Sequence, residues 1–388
     1  MACTDDPISR RRFARDAFLL GAFAAAGVRP GDAAEPPDTP STPPASKGAM
    51  DEALEILAAT GPEYGGGLAN HGPMAAEALT ALDRPAAVKP WLEGYRRRLD
   101  VHPDARNPIA ADAWREPLGV YNRVGDFIAL FDRELAERSW PVVLDTWSAR
   151  LAPGIVGAAM HGVIRTGHAA RSLAAKETPA RRHELAEGLG YWAARYQALP
   201  ESEGKPVAGA LPSQVIRRVP LVPAGQRPRR FLISDALKPL AASPAFAPVI
   251  HLVDDSIEPS RFLSDLTATF AQIFIEESQP GLVITLIHTV TGPSAVRLLV
   301  PHVSPETSRL LARYAWQATA GVYAALGKPP ASPRPAGATM CRDDLVDRAI
   351  ATGDEHAIKF SEACLREHAV DARPVFLTAA AEGVRQLA

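Results

Sequence analysis

Ten histidines occur in the 388 residues, and five of them (His71, His161, His168, His288 and His356) lie in apolar or small-residue text of the kind that folds inward. A buried imidazole without a partner is costly, so each must find a hydrogen bond, a charged neighbour or a metal ion. His71 stands in "GGGLANHGPMAAEAL", after three glycines and just ahead of a strong helix former. In "AAMHGVIRTGHAARSL", His161 follows the apolar run Ile155–Met160, and His168 lies seven residues further on. Seven residues are two helical turns, about 10.5 Å, too far for both rings to reach one ion. His161 is then the ligand candidate and His168 a residue that orients ligand or substrate from behind. Arg165, on the same stripe, is placed to hold an anion near the site, the alternative being an ion pair at the bundle surface.

His288 follows a largely aliphatic run in "LVITLIHTVTGPSAVRLL", where Thr291-Gly292-Pro293 is expected to stop one helix and start another, leaving His288 near a helix end. In "DEHAIKFSEACL", His356 and Lys359 are three residues apart, so their Cβ atoms share a helical face roughly 5–6 Å apart. Lys359 is one of only seven lysines and has Ala357, Ile358, Phe360 and Ala363 around it. A buried ammonium tends to lose its proton, and a neutral amine can take up carbon dioxide as a carbamate, an anionic oxygen ligand; the alternative is a lysine that reaches out to solvent. Four separated segments thus each offer a neutral imidazole, the common ligand of iron, zinc, copper and nickel, with no HExxH signature to choose among them. The remaining histidines sit in polar text (His102, His183, His368) or at element ends (His251, His302) and read as surface, capping or packing residues.

The elements that must position these groups are helices. Apolar residues recur at three and four, as in Ala53-Leu54-Ile56-Leu57, Val142-Val143-Leu144-Trp147, Leu185-Leu189-Trp192-Tyr196 and Leu310-Leu311-Tyr314-Trp316. Alternating segments such as Val249–Val253 are too few for a sheet, and no repeat of 20–50 residues is visible. The expected fold is mainly α, a single large helical domain over 50–388, interrupted by long Pro-rich surface loops at 200–230, with its Arg217, Arg218, Arg227, Arg229 and Arg230, and at 328–337.

Hydrophobic residues make up 47% of the chain, ample for one core, and the net charge of −2 leaves no basic field for nucleic acid. Three cysteines (Cys3, Cys341 and Cys364) have neither CxxC nor CxxCH spacing, which disfavours a zinc ribbon or covalent haem. At the N-terminus, Ser9-Arg10-Arg11-Arg12-Phe13 precedes the apolar run Ala17–Val28 and Ala33-Ala34. That order reads as a twin-arginine (Tat) export signal over 1–34, with a run too short for a membrane span, which needs about 20 residues. Residues 35–49, rich in Pro, Ala and Ser, read as a linker. The signal makes the Tat export machinery a partner and the expected location periplasmic or secreted; without a working signal the chain would stay in the cytoplasm. Tat carries folded proteins, which suits a cofactor acquired before export.

The four stretches "GGGLANHGPMAAEAL", "MHGVIRTGHAARSL", "IHTVTGPSAVRLLVPH" and "HAIKFSEACL", in that order, resemble the questin oxidase-like family over roughly residues 50–370. The resemblance implies a largely helical oxygenase whose fungal relatives open the central ring of anthraquinone-type polyketides, formally a Baeyer–Villiger insertion or an oxidative C–C cleavage. It further implies Fe(II) held by His71, His161, His288 and His356, with Lys359 as a carboxylated ligand, and a small aromatic or polyketide-like substrate beside oxygen. NADPH is associated with the family's reaction, yet no GxGxxG follows a strand here, and no flavin signature is present. Two other readings use the same residues: a metal-dependent hydrolase with zinc, although no HD dipeptide is present, or a non-catalytic ligand-binding protein of the cell envelope with packed histidines.

Overall fold

Proline, abundant in this chain, opens helices here more than it breaks them. Six helices begin on one (Pro85, Pro179, Pro212, Pro259, Pro305 and Pro374), where the missing N–H would have been unpaired in any case. Thr178 and Ser304 then cap by accepting the backbone N–H of Arg181 and Thr307. The computed structural model describes residues 48–110, 112–227, 232–328 and 340–388. The export signal expected over 1–34, the linker up to residue 47, Arg229, Arg230 and the proline-rich stretch from Pro329 lie outside the described residues.

Fifteen α-helices and one two-stranded hairpin are present among the described residues. In chain order the helices are α1 Ala49–Leu57, α2 Gly72–Ala81, α3 Pro85–Tyr95, α4 Val124–Glu137, α5 Trp140–Leu151, α6 His161–Ala175, α7 Pro179–Ala194 and α8 Pro212–Val215. There follow α9 Ile233–Ala236, α10 Pro259–Glu277, α11 Val283–Leu299, α12 Pro305–Leu326, α13 Arg342–Ala351, α14 Glu355–Val370 and α15 Pro374–Leu387. Strands β1 (Glu63–Tyr64) and β2 (Leu68–Ala69) pair antiparallel around Gly65, Gly66 and Gly67, all at positive φ. The triple glycine is thus the turn of a short hairpin that sequence periodicity had not shown.

Helix α11 is the axis of the core. It packs against α6, α10, α12 and α14, and α2 in turn packs against both α6 and α14. Helices α2, α6, α11 and α14 therefore form a closed ring of neighbours. Glycines on α6 let this ring tighten: a Cβ on Gly162 would meet Trp192 Cα of α7 at 2.5 Å, and one on Gly167 would meet Ala295 O of α11 at 2.7 Å. A second apolar cluster joins Leu54, Leu57, Leu79, Leu92 and Tyr95 of α1–α3 to Ile358 of α14, and so props α2 from behind.

Two expectations are corrected. Thr291-Gly292-Pro293 does not end a helix: α11 runs through Pro293, because burial on nearly every side outweighs one lost N–H, and His288 lies mid-helix. The described part of this stretch, 200–227, is more than surface loop, since Ala210, Val215, Ile216 and Val219 enter the core. Val222 N–H donates to Ala324 O at the end of α12, tying the segment down. The stretch Val283–His302 is long and apolar enough to cross a membrane by composition, but 83% of its most apolar 18 residues are buried inside the protein, as befits a central core helix.

Candidate metal centre

Each helix of the ring brings one imidazole to its interior, and three of the four do so at a helix N-terminus. His71 is the N-cap of α2, His161 the first residue of α6 and His356 the second of α14. His288 projects from the middle of α11. Ring centroids lie 4.6 Å apart for His71–His356, 4.7 Å for His71–His161, 4.5 Å for His161–His288 and 5.6 Å for His288–His356. None is more than 9% exposed.

The backbone holds each ring in place locally. Asn70 donates to Gly61 O (2.9 Å) and accepts the Gly72 N–H (2.9 Å), while His71 N–H donates to the Tyr95 hydroxyl (2.6 Å). His161 follows three consecutive left-handed residues, Ala158, Ala159 and Met160, with φ of 47°, 56° and 68°. None is a glycine, and each such residue costs about 1–2 kcal/mol. Backbone strain of this kind gathers where a site must be shaped. The turn brings Ala158 O onto His161 Nδ1. His288 Nδ1 donates to Ile284 O (2.6 Å), and Asp354, the N-cap of α14, accepts both the backbone N–H (2.7 Å) and Nδ1 (3.2 Å) of His356.

These hydrogen bonds decide what the rings can do. A carbonyl only accepts, so His161 and His288 carry their protons on Nδ1 and present bare Nε2 lone pairs. Those two Nε2 atoms face each other at 3.0 Å. Two lone pairs at that distance repel unless a cation or proton stands between them. Donors at right angles on one metal ion, each at about 2.0–2.1 Å, would stand about 3.0 Å apart. Burial first, then Lys359 and neighbouring rings, holds His71 and His161 well below the ordinary histidine pKa; for His288 the neighbouring rings follow burial directly. Burial therefore favours the neutral form of His71, His161 and His288, the form that ligates. The donor set fits a transition-metal ion.

Lys359, one turn after His356, is 2% exposed and has no hydrogen bond or ion pair among the described residues. Burial lowers its pKa to about 8, against the pull of Glu355 and Asp354. Glu355 is the residue the sequence reading passed over. It is 5% exposed, its Oε2 takes a bond from Arg98 (3.3 Å), and its Oε1 lies 4.0 Å from His71 Nδ1, a nitrogen with no hydrogen-bond partner. His71, Glu355 and His356 bring ligand atoms within 4.8 Å of one another. The acidic pair Asp354-Glu355 directly before His356 was the available signal, hidden by its resemblance to an ordinary helix start.

Arg165 and His168 each meet buried carboxylates. Arg165 forms a two-pronged bond with Glu184 (2.7 and 2.8 Å) and lies 3.3 Å from Glu187, so its guanidinium is occupied by carboxylates of α7. His168 meets Glu77 of α2 at 2.6 Å, and Glu77 is also gripped by Arg171, which reaches Glu362 of α14. Burial would raise Glu362, but Arg171 and Arg366 hold it far below the usual carboxylate range. This charged chain fastens α6, α2 and α14 together on the face that carries His168. His251 and His368 bond to the carbonyls of Ser202 and Arg373, and His302 packs on Trp140, as capping or packing histidines do.

A family model described as questin oxidase-like matches residues 78–364. The matched span includes His161, His288, His356 and Lys359 and begins just after His71. No curated protein matches the chain.

Proposed function

The chain belongs to the questin oxidase-like family, a family of oxidoreductases, and from that premise we propose that it is an oxygen-dependent oxidoreductase acting on an aromatic or polyketide-like molecule through non-haem iron. The observation that carries the reading is the opposed Nε2 pair of His161 and His288 at 3.0 Å, closed into a four-imidazole ring by His71 and His356. These four residues would hold Fe(II), and neutral imidazoles leave its double charge uncompensated in a dry interior, which calls for an anionic partner. Lys359 as a carbamate is the proposed partner: the neutral amine adds carbon dioxide through nitrogen and releases one proton. Glu355 stands by as a carboxylate that would accept a hydrogen bond from His71 Nδ1–H after a small shift. When bound, the iron supplies the one-electron chemistry that lets oxygen attack an electron-rich ring.

The protein's own groups orient and shield. Ala158 O, Ile284 O and Asp354 fix the three rings and raise their basicity, and burial excludes water. His168 fastens α6 to α2 through Glu77, and Arg165 fastens α6 to α7 through Glu184. NADPH is proposed as the electron source, delivered without a dinucleotide fold of the protein's own, and export through the Tat pathway is proposed for the chain as a whole. Elemental analysis together with oxygen uptake tests the reading. One iron per chain and uptake with a phenolic polyketide support it; zinc in place of iron that is lost in His161→Ala would point to the hydrolase, and no metal dependent on His161 to the ligand-binding protein.

A further inference from the structure

His102 and His183, which read as plain surface residues in the sequence, meet across the buried Glu187. His102 Nε2 donates to Glu187 Oε1 at 2.6 Å, a proton that a binding ion would displace, and His183 Nε2 lies 3.6 Å from the same oxygen. The ring centroids are 6.4 Å apart, and one ligand atom from each of the three residues falls within 4.8 Å of the others. We propose that His102, His183 and Glu187 form a second site, open to solvent, for a divalent transition-metal ion of the zinc type.

The surroundings are those of a ligand set. His183 Nδ1 donates to Asp132 at 2.9 and 3.1 Å, leaving Nε2 as the lone-pair donor. A carboxylate behind a ligating imidazole fixes its tautomer and raises its basicity. His183 and Glu187 are four residues apart on α7 and share one face, while His102 arrives from the segment after α3, where its backbone N–H is tied to Ala59 O. Charge agrees as well. Three carboxylates (Asp132, Glu184 and Glu187) face one guanidinium, that of Arg165, and the hydrogen bond to Asp132 with the nearby glutamates holds His183 above the ordinary histidine pKa, so the site draws positive charge and an incoming ion would take the place of a proton. Arg182 is engaged with Glu177 instead. Glu187 Oε2 has no hydrogen bond, only Arg165 Nη1 at 3.3 Å. The side chains of His102 and His183 are 25% and 40% exposed, so water would complete the coordination. This site shares no ligand with the four-imidazole ring.

The test uses the full chain stripped of metal and equilibrated with Zn²⁺ alone, with bound zinc counted after dialysis. His102→Asn and His183→Asn should each bind one equivalent less than the parent, whatever the four-imidazole ring itself holds. Asp132→Asn should keep the equivalent but weaken it about 10- to 100-fold. All three positions are partly exposed, so the variants are expected to fold, and circular dichroism checks this. Equal zinc in the parent and in both histidine variants overturns the proposal.

Discussion

The Nε2 atoms of His161 and His288 face each other at 3.0 Å, 127 residues apart in sequence, while each Nδ1 is held by a carbonyl of its own chain segment. Neither ring can turn to relieve the contact without breaking its carbonyl bond, so the pair is set to share one cation or one proton. Replacing His288 or His161 by alanine should lower iron affinity by more than the about 10–100-fold typical of an outer-sphere partner. His368→Ala, a carbonyl-bonded histidine elsewhere, should leave iron content at the parent level. Equal iron in His288→Ala and His368→Ala, measured by elemental analysis, would remove the shared-ligand reading.

Metal-free protein should lose stability in mild acid. His71, His161 and His288 have folded pKa values well below their ordinary one. The unfolded chain therefore binds protons near pH 6.5 that the folded chain refuses, and protonation favours unfolding. Stability is full above about pH 6.5 and falls below it, each such histidine contributing a slope of about 1.4 kcal/mol per pH unit. Urea titrations of metal-free protein between pH 5 and 8 measure this. A flat profile would show that the rings protonate freely in the fold.

Lys359 separates structural cost from function. Its pKa, lowered to about 8 from 10.5, means the folded state disfavours the charged amine, so metal-free stability should rise as pH climbs between those values. Lys359→Met should abolish that rise and stabilise the metal-free protein by on the order of 2 kcal/mol at neutral pH, since a buried charge is removed. The same variant should lose iron and turnover. Lys359→Arg, which keeps the charge and cannot form a carbamate, should be as inactive; normal iron and activity in the arginine variant would exclude Lys359 as a ligand.

The left-handed turn before α6 is a reservoir of strain. Ala159→Gly at φ 56° should stabilise the protein by about 0.5–1 kcal/mol, because glycine adopts that region without a Cβ penalty. Ala159→Val should destabilise it and lower metal affinity by displacing His161. Thermal melts with and without added metal distinguish the two effects.

Export should depend on the arginine pair. Changing Arg10 and Arg11 to lysine should leave unprocessed precursor in the cytoplasm, read by fractionation and immunoblot. Unchanged export of that variant would exclude the twin-arginine route.

Much of the fold was legible because helical periodicity is local. The stripes at three and four residues announce elements from neighbours in the chain. The hairpin at Glu63–Ala69 escaped notice because two residues per strand leave no period to read. The continuity of α11 through Pro293 escaped because a proline signal is local, whereas the burial that overrides it is not.

By itself, then, the sequence determined that the chain is mainly helical, which segments carry an imidazole in apolar text, and that Lys359 shares a face with His356. It could not determine which segments meet. That required α6 to approach α7 and α11 through Gly162 and Gly167, contacts between residues far apart in the chain. Only the tertiary structure set His161 against His288, turned Arg165 to Glu184 and His168 to Glu77, and stood Glu355 beside His71. The physical reason is that spacing within a helix fixes a side chain's direction, while its partner is chosen by how separate helices pack, and packing is a property of the whole core.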